Sequence, residues 1–491
     1  MFPITLTNSG VVEAEEIEES GQELGDFVPA WVEEEGVEDN DGEKELLQFD
    51  PIDDNDEEPV ANFDNIAWEG DHEYFFSEAS EFMDPERFVQ DVEINGTSTP
   101  YSILRKFMTD EVIREIIHQT NLYAVQRKIP QWKHLTVAEF WNFLALHVLT
   151  GIVQKPSLKD YWSINMLIST HYFGDTMSRN RFLQILRGLH FVNIEDPDLD
   201  TTNRFHKLGT ILPDIVNNFR RAVNPGEFLT LDEELMPFRG RLSFRQYNPK
   251  KRGRFGIESF LLMDAEKKYV LDILPYQGRS TPIFDQAWIA AYGFGGATAL
   301  TLLRKGYFNK NHRLVLDNYF QSPTLAKVLV RLEVFVLGTV RKNRKFMPRF
   351  VDPITKKPNK ITQGEVETFS DGDMLLERWG DRREVFMLNT FIDHRMEECN
   401  SGNPANQRLK PASVLVYNKV MGAVDNMDAM IRPYQALRKT TKWYRKYYFK
   451  QSGSEEFFRT ATKTKERKVV KPGTLSSVNS RRQWKNQAVK L

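Results

Sequence analysis

Apolar residues between about residues 75 and 225 recur at spacings of three and four, which predicts amphipathic helices. A capping box from Thr136 to Glu139 marks the start of one of these helices. The apolar stripes of the three clearest helices cover residues 107–117, 140–148 and 181–189. Such stripes usually face a core, so we interpret them as packing surfaces rather than as a ligand site.

The pattern changes at residue 228, where short apolar runs replace the helical spacing. Strands are predicted at residues 228–232, 257–263, 269–274, 312–316 and 334–340. The second and third strands are close enough to form a hairpin. Helices are predicted around residues 297–305 and from Ser322, where the following proline suits the first helical turn. The order strand, hairpin, helix, strand, helix, strand predicts a mixed α/β sheet.

Residues 341–411 interrupt this order with prolines and basic residues. Three strand-like runs follow within that range, at residues 365–369, 374–379 and 385–390. We interpret the stretch as an inserted β-rich module. Residues 413–433 then predict a passage from a strand into a helix.

Composition narrows the class of protein. The 491 residues leave room for about three domains of ordinary size. A single cysteine, Cys399, excludes a disulfide scaffold and a Cys-rich zinc module, so no zinc is expected. The first residues lack the features of a signal peptide, and the longest apolar stretch, 140–153, contains polar residues. We therefore expect no signal peptide and no membrane span.

The net charge of −4 hides two opposite regions. Residues 1–72 hold 24 acidic side chains and one basic one, Lys44, and we predict a disordered acidic tail there. This tail is either a DNA mimic or partner motif, or only a solubilising segment. The other 419 residues carry 64 basic and 45 acidic side chains. Their excess of positive charge fits a nucleic-acid partner, with a solvated lysine-rich surface as the alternative.

Carboxylates stand at the ends of several predicted elements. Asp232 and Asp317 each follow a strand, and Asp425 and Asp428 lie three residues apart on a predicted helix, where they share a face. Clustered carboxylates stay ionised when a cation lies between them, and oxygen ligands favour Mg²⁺ or Mn²⁺. The alternatives are that these acids cap the following helices, as acids at strand ends often do, or that their pattern among 69 acidic residues is a coincidence. Long stretches of chain separate them, so only a particular fold can bring them together.

Six motifs, in a fixed order over roughly residues 80 to 450, resemble those of the PiggyBac transposase family. They are MSRNRF with LHF (177–191), LDE with FRGR (231–241), LDNYF (316–320), VLGTVR (336–341), YNK with GAVDNMD (417–428) and RKTTKW (438–443). Each motif alone is common, and the set together is specific.

This resemblance implies an α/β fold: a ribonuclease H-like catalytic core, a β-rich insertion domain and a helical dimerisation and DNA-binding domain. The expected divisions are the acidic tail 1–72, the helical region 75–227, the core parts 228–340 and 412–434, the insertion 341–411, a DNA-binding helix remnant 435–460 and a basic disordered tail 461–491.

The resemblance also implies the chemistry. The family's catalytic, metal-binding acids correspond to Asp232, Asp317 and Asp425, with Asp428 as an additional metal ligand. The implied reaction is DDE/DDD-type strand cleavage and transfer at TTAA targets by two Mg²⁺ or Mn²⁺ ions. The implied partners are DNA, including transposon ends, and a second copy of the chain, and the implied compartment is the nucleus.

Basic residues supply candidate DNA contacts in several parts of the chain. The segment 248–254 holds four cations in five residues near the first acid, and 435–491 holds 16 Lys and Arg against three Glu, interleaved with aromatic residues. The predicted DNA-binding residues are Arg239, Arg241, Lys250, Lys251, Arg252, Arg254, Arg341, Arg438, Lys439, Lys442 and Trp443. The first segment also reads as an exposed hairpin loop or a nuclear import signal.

Three features depart from the family pattern. A polar basic stretch follows Lys450 in place of a hydrophobic helix, no Cys-rich module follows, and Glu258 stands where the family usually has lysine. We expect a truncated C-terminal region. Two alternatives to a transposase stay open: a domesticated nuclear protein that binds DNA or chromatin without cutting it, and an unrelated metal-dependent phosphodiesterase.

Overall fold

The computed structural model describes residues 66–70, 76, 81–82, 99–249, 251, 253–350, 360–399 and 408–452. The predicted basic tail 461–491 and most of the acidic segment 1–72 lie outside the described residues. Within the described part of the chain, every helix is too short or too polar to cross a membrane.

The region predicted to be helical forms six α-helices among its described residues. They are α1 (Pro100–Phe107), α2 (Asp110–Gln126), α3 (Val137–Ile152), α4 (His171–Thr176), α5 (Arg179–Gly188) and α6 (Ile211–Ala222). The three helices predicted from apolar stripes are confirmed as α2, α3 and α5. The side chains of Thr109, Thr136 and Ser178 accept backbone N–H groups at their starts, as N-cap residues do.

A large mixed sheet follows. Its strands are β1 (Glu69–Gly70), β2 (Phe228–Pro237), β3 (Gln246–Tyr247), β4 (Phe255–Asp264), β5 (Tyr269–Pro275), β6 (His312–Leu316), β7 (Val334–Thr339), β8 (Val366–Ser370), β9 (Leu375–Gly380) and β10 (Glu384–Asn389). Helices α7 (Ala287–Leu303) and α8 (Pro323–Arg331) lie between β5 and β7 along the chain. The predicted order of strands, hairpin and helices is therefore confirmed.

The centre of this sheet has the spatial order β5-β4-β2-β6-β7. The pairs β5–β4 and β4–β2 are antiparallel, whereas β2–β6 and β6–β7 are parallel. The parallel strands are almost entirely buried, as expected for strands covered on both faces. Strands β2 and β6 therefore each pair with a strand on both sides, which holds their backbones in place within the sheet.

The three strands predicted within 341–411 are present, but they do not form a sheet of their own. Strand β10 pairs antiparallel with β7, and β9 and β8 continue outward from it. A separate two-stranded sheet is formed by β11 (Met396–Cys399) and β12 (Arg408–Pro411). The strand patterns predicted the elements correctly, whereas their pairing with β7 depends on long-range contacts that a local pattern does not specify.

Residues 66–70, the first described stretch, correct the predicted extent of the acidic tail. Ile66 is buried, the Trp68 Nε1–H donates to the Phe346 carbonyl oxygen at 2.7 Å, and β1 pairs with β8. Residues 66–70 are therefore part of the folded sheet rather than of a disordered tail. The physical reason is the apolar surface that Ile66 and Trp68 bury among the surrounding acidic residues.

A second correction concerns residues 413–433, predicted to pass from strand to helix. The chain forms two helices there, α9 (Ala412–Val420) and α10 (Ala423–Ile431). A short apolar run such as that near the start of α9 fits a buried strand and a buried helix equally well. The final described helix is α11 (Trp443–Gln451).

Candidate active site

Two of the four predicted acids directly follow paired positions on neighbouring strands. Strands β2 and β6 are parallel neighbours, and their register pairs Leu231 with Leu316. The next residues, Asp232 and Asp317, therefore come together although the chain between them is long. Asp317 directly follows β6, as predicted, whereas Asp232 lies within β2 because that strand continues to Pro237.

Burial and a neighbouring charge disturb both carboxyl groups. Burial raises the pKa of Asp232 to about 8, and the charge of Glu233 adds to the increase. Burial also raises the pKa of Asp317, again with a contribution from Glu233. The Tyr319 backbone N–H opposes that increase by donating to the Asp317 Oδ1 at 2.7 Å. The fold thus places acids together at a cost that a bound cation would relieve.

Glu233 is the acid that connects this group. One of its carboxylate oxygens, Oε2, is buried without a hydrogen-bond partner among the described residues. The side chains of Asp232 and Glu233 lie within hydrogen-bond reach of each other, which, together with burial, helps to raise the pKa of Asp232, so protonated Asp232 is the donor available to Glu233 and a bound cation would replace that proton. Glu233 belongs to the motif LDE, from which only Asp232 was predicted to be a site residue.

Glu258 is a second acid that the sequence argument did not place in the site. It pairs with Leu235 across the β2–β4 ladder, two positions from Glu233. Burial raises the pKa of Glu258 to about 7, and the charge of Glu233 contributes. The available signal was its departure from the family's usual lysine. A glutamate in place of a lysine makes this edge more acidic.

The other two predicted acids, both on α10, are placed differently. The Asp425 side chain is 78% exposed, and its Oδ1 lies 3.8 Å from the Lys251 Nζ. Asp428 is instead paired with Lys450, with its Oδ1 3.1 Å from the Lys450 Nζ. The predicted cluster of four acids is therefore not assembled. In the described part of the chain, no three His, Cys, Asp or Glu side chains are arranged to hold a metal ion.

Lys251 provides positive charge at the edge of this acidic group. Besides its contact with Asp425, its Nζ donates to the Glu233 backbone carbonyl at 3.3 Å. Its charge lowers the pKa values of Asp232 and Glu258 and so opposes the effect of burial. The side chain predicted to contact DNA phosphate thus lies among the acids, where it partly neutralises them.

The remaining predicted DNA contacts divide by exposure. Arg239, Arg241, Arg254, Arg341 and Lys439 are exposed, and Lys442 is half-buried. Lys250 and Arg252 lie outside the described residues. Of the exposed arginines, Arg341 lies nearest the acids: its Nε donates to the Asn318 Oδ1 at 3.0 Å, and its charge lowers the pKa of Asp317.

Arg438 and Trp443 are engaged in packing inside the protein. Arg438 is half-buried and donates to the Tyr161 hydroxyl at 2.8 Å. Trp443 is 7% exposed and packs edge-on against Phe205 and Phe244, with ring centroids 5.0 and 5.3 Å away. A ring buried in this way has no free face for a base. The aromatic residues interleaved with cations, predicted to stack on DNA, instead anchor α11 in the core.

The comparisons with known proteins agree with the resemblance seen in the sequence. A family model described as transposase IS4 matches residues 99–451, more than two thirds of the chain. The chain therefore belongs to the PiggyBac transposase family. It is 28% identical over 358 residues to PiggyBac transposable element-derived protein 3 from Homo sapiens, covering 70% of this chain. It is 24% identical over 355 residues to the human PiggyBac transposable element-derived protein 2, also covering 70%.

The chain spans 58% of the length of each of these two relatives. Its fold is similar to that of a piggyBac transposase solved by cryo-electron microscopy as a synaptic complex with hairpin DNA. That match has a TM-score of 0.64 and 24% sequence identity, and it covers 79% of each chain. The predicted α/β fold is thereby confirmed at the level of a large mixed sheet with helices.

Proposed function

We propose that this protein is a piggyBac-type DNA transposase, or a derivative of one, that cleaves DNA strands and transfers them at TTAA targets with Mg²⁺ or Mn²⁺. The observation that carries the proposal is the parallel register that brings Asp232 beside Asp317. Membership of the PiggyBac transposase family supports it. The synaptic complex with hairpin DNA formed by the similar transposase supports DNA as the partner.

A ribonuclease H-like core is part of this proposal. Numbered along the chain, the central strands β2, β4, β5, β6 and β7 have the spatial order 3-2-1-4-5, antiparallel on one side and parallel on the other. This order supports the assignment of the catalytic core to 228–340 and 412–434. The insertion at 341–411 and the dimerisation role of 75–227 are proposed with it.

The metal ligands are proposed from the donors that the edge provides. Asp232 and Asp317 would bind the ions, with the unpaired oxygen of Glu233 as a further donor and Asp425 reaching in from α10. Carboxylate oxygens are the donors that Mg²⁺ and Mn²⁺ prefer. A pair of bound ions would activate the attacking oxygen and stabilise the leaving one. Because Lys450 pairs with Asp428, we assign that acid a supporting role rather than ligation.

The exposed arginines give this site its proposed substrate. Arg341 lies at the rim beside Asp317, and Arg239, Arg241 and Arg254 are exposed on the segments that precede and follow β3. Guanidinium groups bind phosphate oxygens and position a duplex without reading its sequence. A DNA backbone on these arginines would present a phosphodiester to the acidic edge.

The test is nicking of a supercoiled plasmid by the full chain in Mn²⁺ or Mg²⁺, with the nick positions mapped by sequencing. We expect nicks at TTAA that disappear with EDTA and fall at least about 100-fold with Asp317→Asn, because a catalytic metal ligand is lost. Asp175→Asn, a change at an exposed acid on α4, is the matched control and should nick like the unchanged protein. Equal nicking by Asp317→Asn would exclude the proposed site.

The second candidate is a nuclear protein that binds DNA or chromatin without cutting it. The pairing of Asp428 with Lys450 and the unassembled third acid favour this alternative. It predicts salt-dependent DNA binding with no nicking in any divalent cation. Gel-shift and nicking assays on the same preparation separate the two functions.

A nuclear location and a homodimer complete the proposal. The basic segment 248–254 supports nuclear import, and synapsis in the similar transposase supports pairing of subunits. Imaging of a fluorescent fusion tests the first, with 250–254 replaced by neutral residues as the comparison. Light scattering on the purified chain, with and without DNA, tests the second.

A further inference from the structure

A buried lysine connects the strand that carries Asp232 to the helix that carries Asp425. The Lys450 Nζ on α11 lies 2.9 Å from the Glu234 Oε1 on β2 and 3.1 Å from the Asp428 Oδ1 on α10. The Lys450 and Glu234 side chains are only 5% and 3% exposed. The neighbouring Gln451 Nε2–H donates to the other Glu234 oxygen at 2.9 Å. We call Lys450, Glu234 and Asp428 the ionic tether.

Each acid of the tether lies on the same face of its strand or helix as a proposed catalytic acid. Glu234 is two residues after Asp232 on a strand, so the two side chains point to the same face of the sheet. Asp428 is three residues after Asp425 on a helix, so these two side chains also share a face. The Lys450 ammonium group therefore contacts both β2 and α10. On each element it contacts an acid that shares a face with a proposed catalytic acid.

We propose that Lys450 is a positioning residue that fixes α10 on β2 and thereby sets the distance of Asp425 from Asp232 and Asp317. This inference rests on the proposed function. Apolar packing of Met427 and Ile431 holds α10 against the sheet, but such contacts tolerate small shifts along the helix axis. A buried ion pair with defined geometry does not, because a shift leaves a charge buried and unpaired.

The contrast with Asp425 supports a division of roles on one helix. Among the described residues, the Asp425 Oδ1 lies 3.8 Å from the Lys251 Nζ, and the Asp425 side chain is 78% exposed, so it keeps freedom to turn toward a bound cation. Asp428 is held closely from the buried side. The helix is thus anchored by one acid while the other is left available.

The test measures the position of α10 separately from catalysis. Hydrogen exchange is followed by mass spectrometry in the full chain and in Lys450→Met, with peptides covering 423–431 and, as a remote reference, α2. We expect exchange in 423–431 to accelerate at least about tenfold, because loss of the ammonium group leaves Glu234 and Asp428 without their shared cation, with no change in α2. Lys450→Arg keeps the charge and should restore most of the protection.

The same variants are assayed for the Mn²⁺ concentration that gives half-maximal nicking. A displaced third ligand should raise this concentration about tenfold in Lys450→Met, with partial recovery in Lys450→Arg. Lys446→Met is the matched control on the same helix, because the Lys446 Nζ donates to the Pro237 carbonyl at 2.6 Å and contacts neither acid of the tether. It should leave both exchange in 423–431 and the Mn²⁺ requirement unchanged.

Unchanged exchange in 423–431 of folded Lys450→Met would overturn the proposal, as would equal acceleration in α2, which indicates general destabilisation. If Lys450→Met does not fold, Glu234→Gln combined with Lys450→Met removes the buried charge mismatch on the strand. A folded double variant with normal protection in 423–431 overturns the tether equally. If the unchanged protein cuts no DNA while Lys450→Met still loosens α10 selectively, the proposed function fails and the tether stands.

Discussion

Two groups of charged side chains lie partly buried in the same sheet, and they differ in how closely their acids contact a cation. On β9, the Arg378 side chain is 1% exposed and lies between Glu367 on β8, at 2.9 Å, and Glu384 on β10, at 2.5 Å. On β2, Asp232 and Glu233 lie beside Asp317 with pKa values of Asp232 and Asp317 raised by burial. In the first group both carboxylates contact the buried cation, whereas in the second the charges of Lys251 and Arg341 only partly offset the acids.

The difference separates structural charge from functional charge. A buried cation held by two carboxylates joins three strands and serves the sheet as a structural contact. Acids that are gathered and half-buried beside too few cations destabilise the protein when they are ionised, and the proposed metal ions would supply the missing positive charge. The ionic tether belongs to the first kind although it lies next to the acids of the second kind.

The largest effect is expected from breaking the balanced group. Arg378→Met removes a buried cation and its two bridges, and should lower the free energy of unfolding by about 3 kcal/mol. The two glutamates are about a third exposed and stay hydrated, which limits the loss. Urea unfolding measures it, with Arg395→Met, at an exposed arginine, as the control. A loss below that of the control would show that the three-strand bridge is not stabilising.

The unbalanced group should respond in the opposite direction. Because the folded pKa of Asp232 is raised to about 8, its neutral form favours folding. That contribution is fully present below about pH 4, the unfolded value, and is lost as pH rises through about 8. Asp232→Asn should therefore increase the free energy of unfolding in EDTA by about 1–2 kcal/mol at pH 8.5 and hardly at all at pH 4.

Urea unfolding of both proteins at four pH values between 4 and 9 checks this prediction. The gain should grow steadily with pH, since ionisation of Asp232 is what the asparagine avoids. A gain that is constant over this range, or a loss at high pH, would mean that ionisation of the buried Asp232 carboxyl group is not the cause.

A divalent cation should raise the melting temperature of the protein by acting on the second group of acids. At 5–10 mM Mn²⁺, roughly the range that fills a weak carboxylate site, Tm should rise by about 1–3 °C through mass action. Asp232→Asn should lose most of this increase. Lys251→Met should enlarge it, because Lys251 supplies the positive charge that a cation would replace. Differential scanning calorimetry in Ca²⁺-free buffers measures these changes in Tm. Arg378→Met is the comparison, because it keeps all the acids near Asp232 and should show the same increase with Mn²⁺ as the unchanged protein.

The smallest effect concerns a histidine on the balanced side of the sheet. His394 Nδ1 lies 2.7 Å from the buried Glu377 Oε1, and this hydrogen bond raises the pKa of His394. A raised histidine pKa contributes stability that is fully present below about pH 6.5 and is lost as pH rises through the folded value. Since His394 is 31% exposed, His394→Gln should cost about 0.5–1 kcal/mol at pH 5.5 and nothing near pH 9. A pH-independent difference in urea midpoints would contradict it.

Much of the fold and half of the candidate site were predictable. The starts of α2, α3 and α5 follow from Thr109, Thr136 and Ser178, whose side chains act within one turn. The placement of Asp317 after β6 followed from an apolar run ending in an acid. Its proximity to Asp232 did not follow from local pattern and depended on resemblance to a family. The inclusion of Glu233 and Glu258 depended on burial and register, which the sequence argument did not consider.

The sequence by itself determined those features that depend on neighbours along the chain: helix stripes and caps, the hairpin of β4 and β5, and the alternation of strands and helices. The tertiary structure decided which strands pair, so 366–389 extend the main sheet. It also decided which side chains are buried, so Trp443 packs in the core and Asp428 pairs with Lys450. The physical reason is the distance along the chain over which each interaction acts. Backbone geometry acts over a few residues, whereas burial and charge depend on whatever distant segment is brought within a few ångströms.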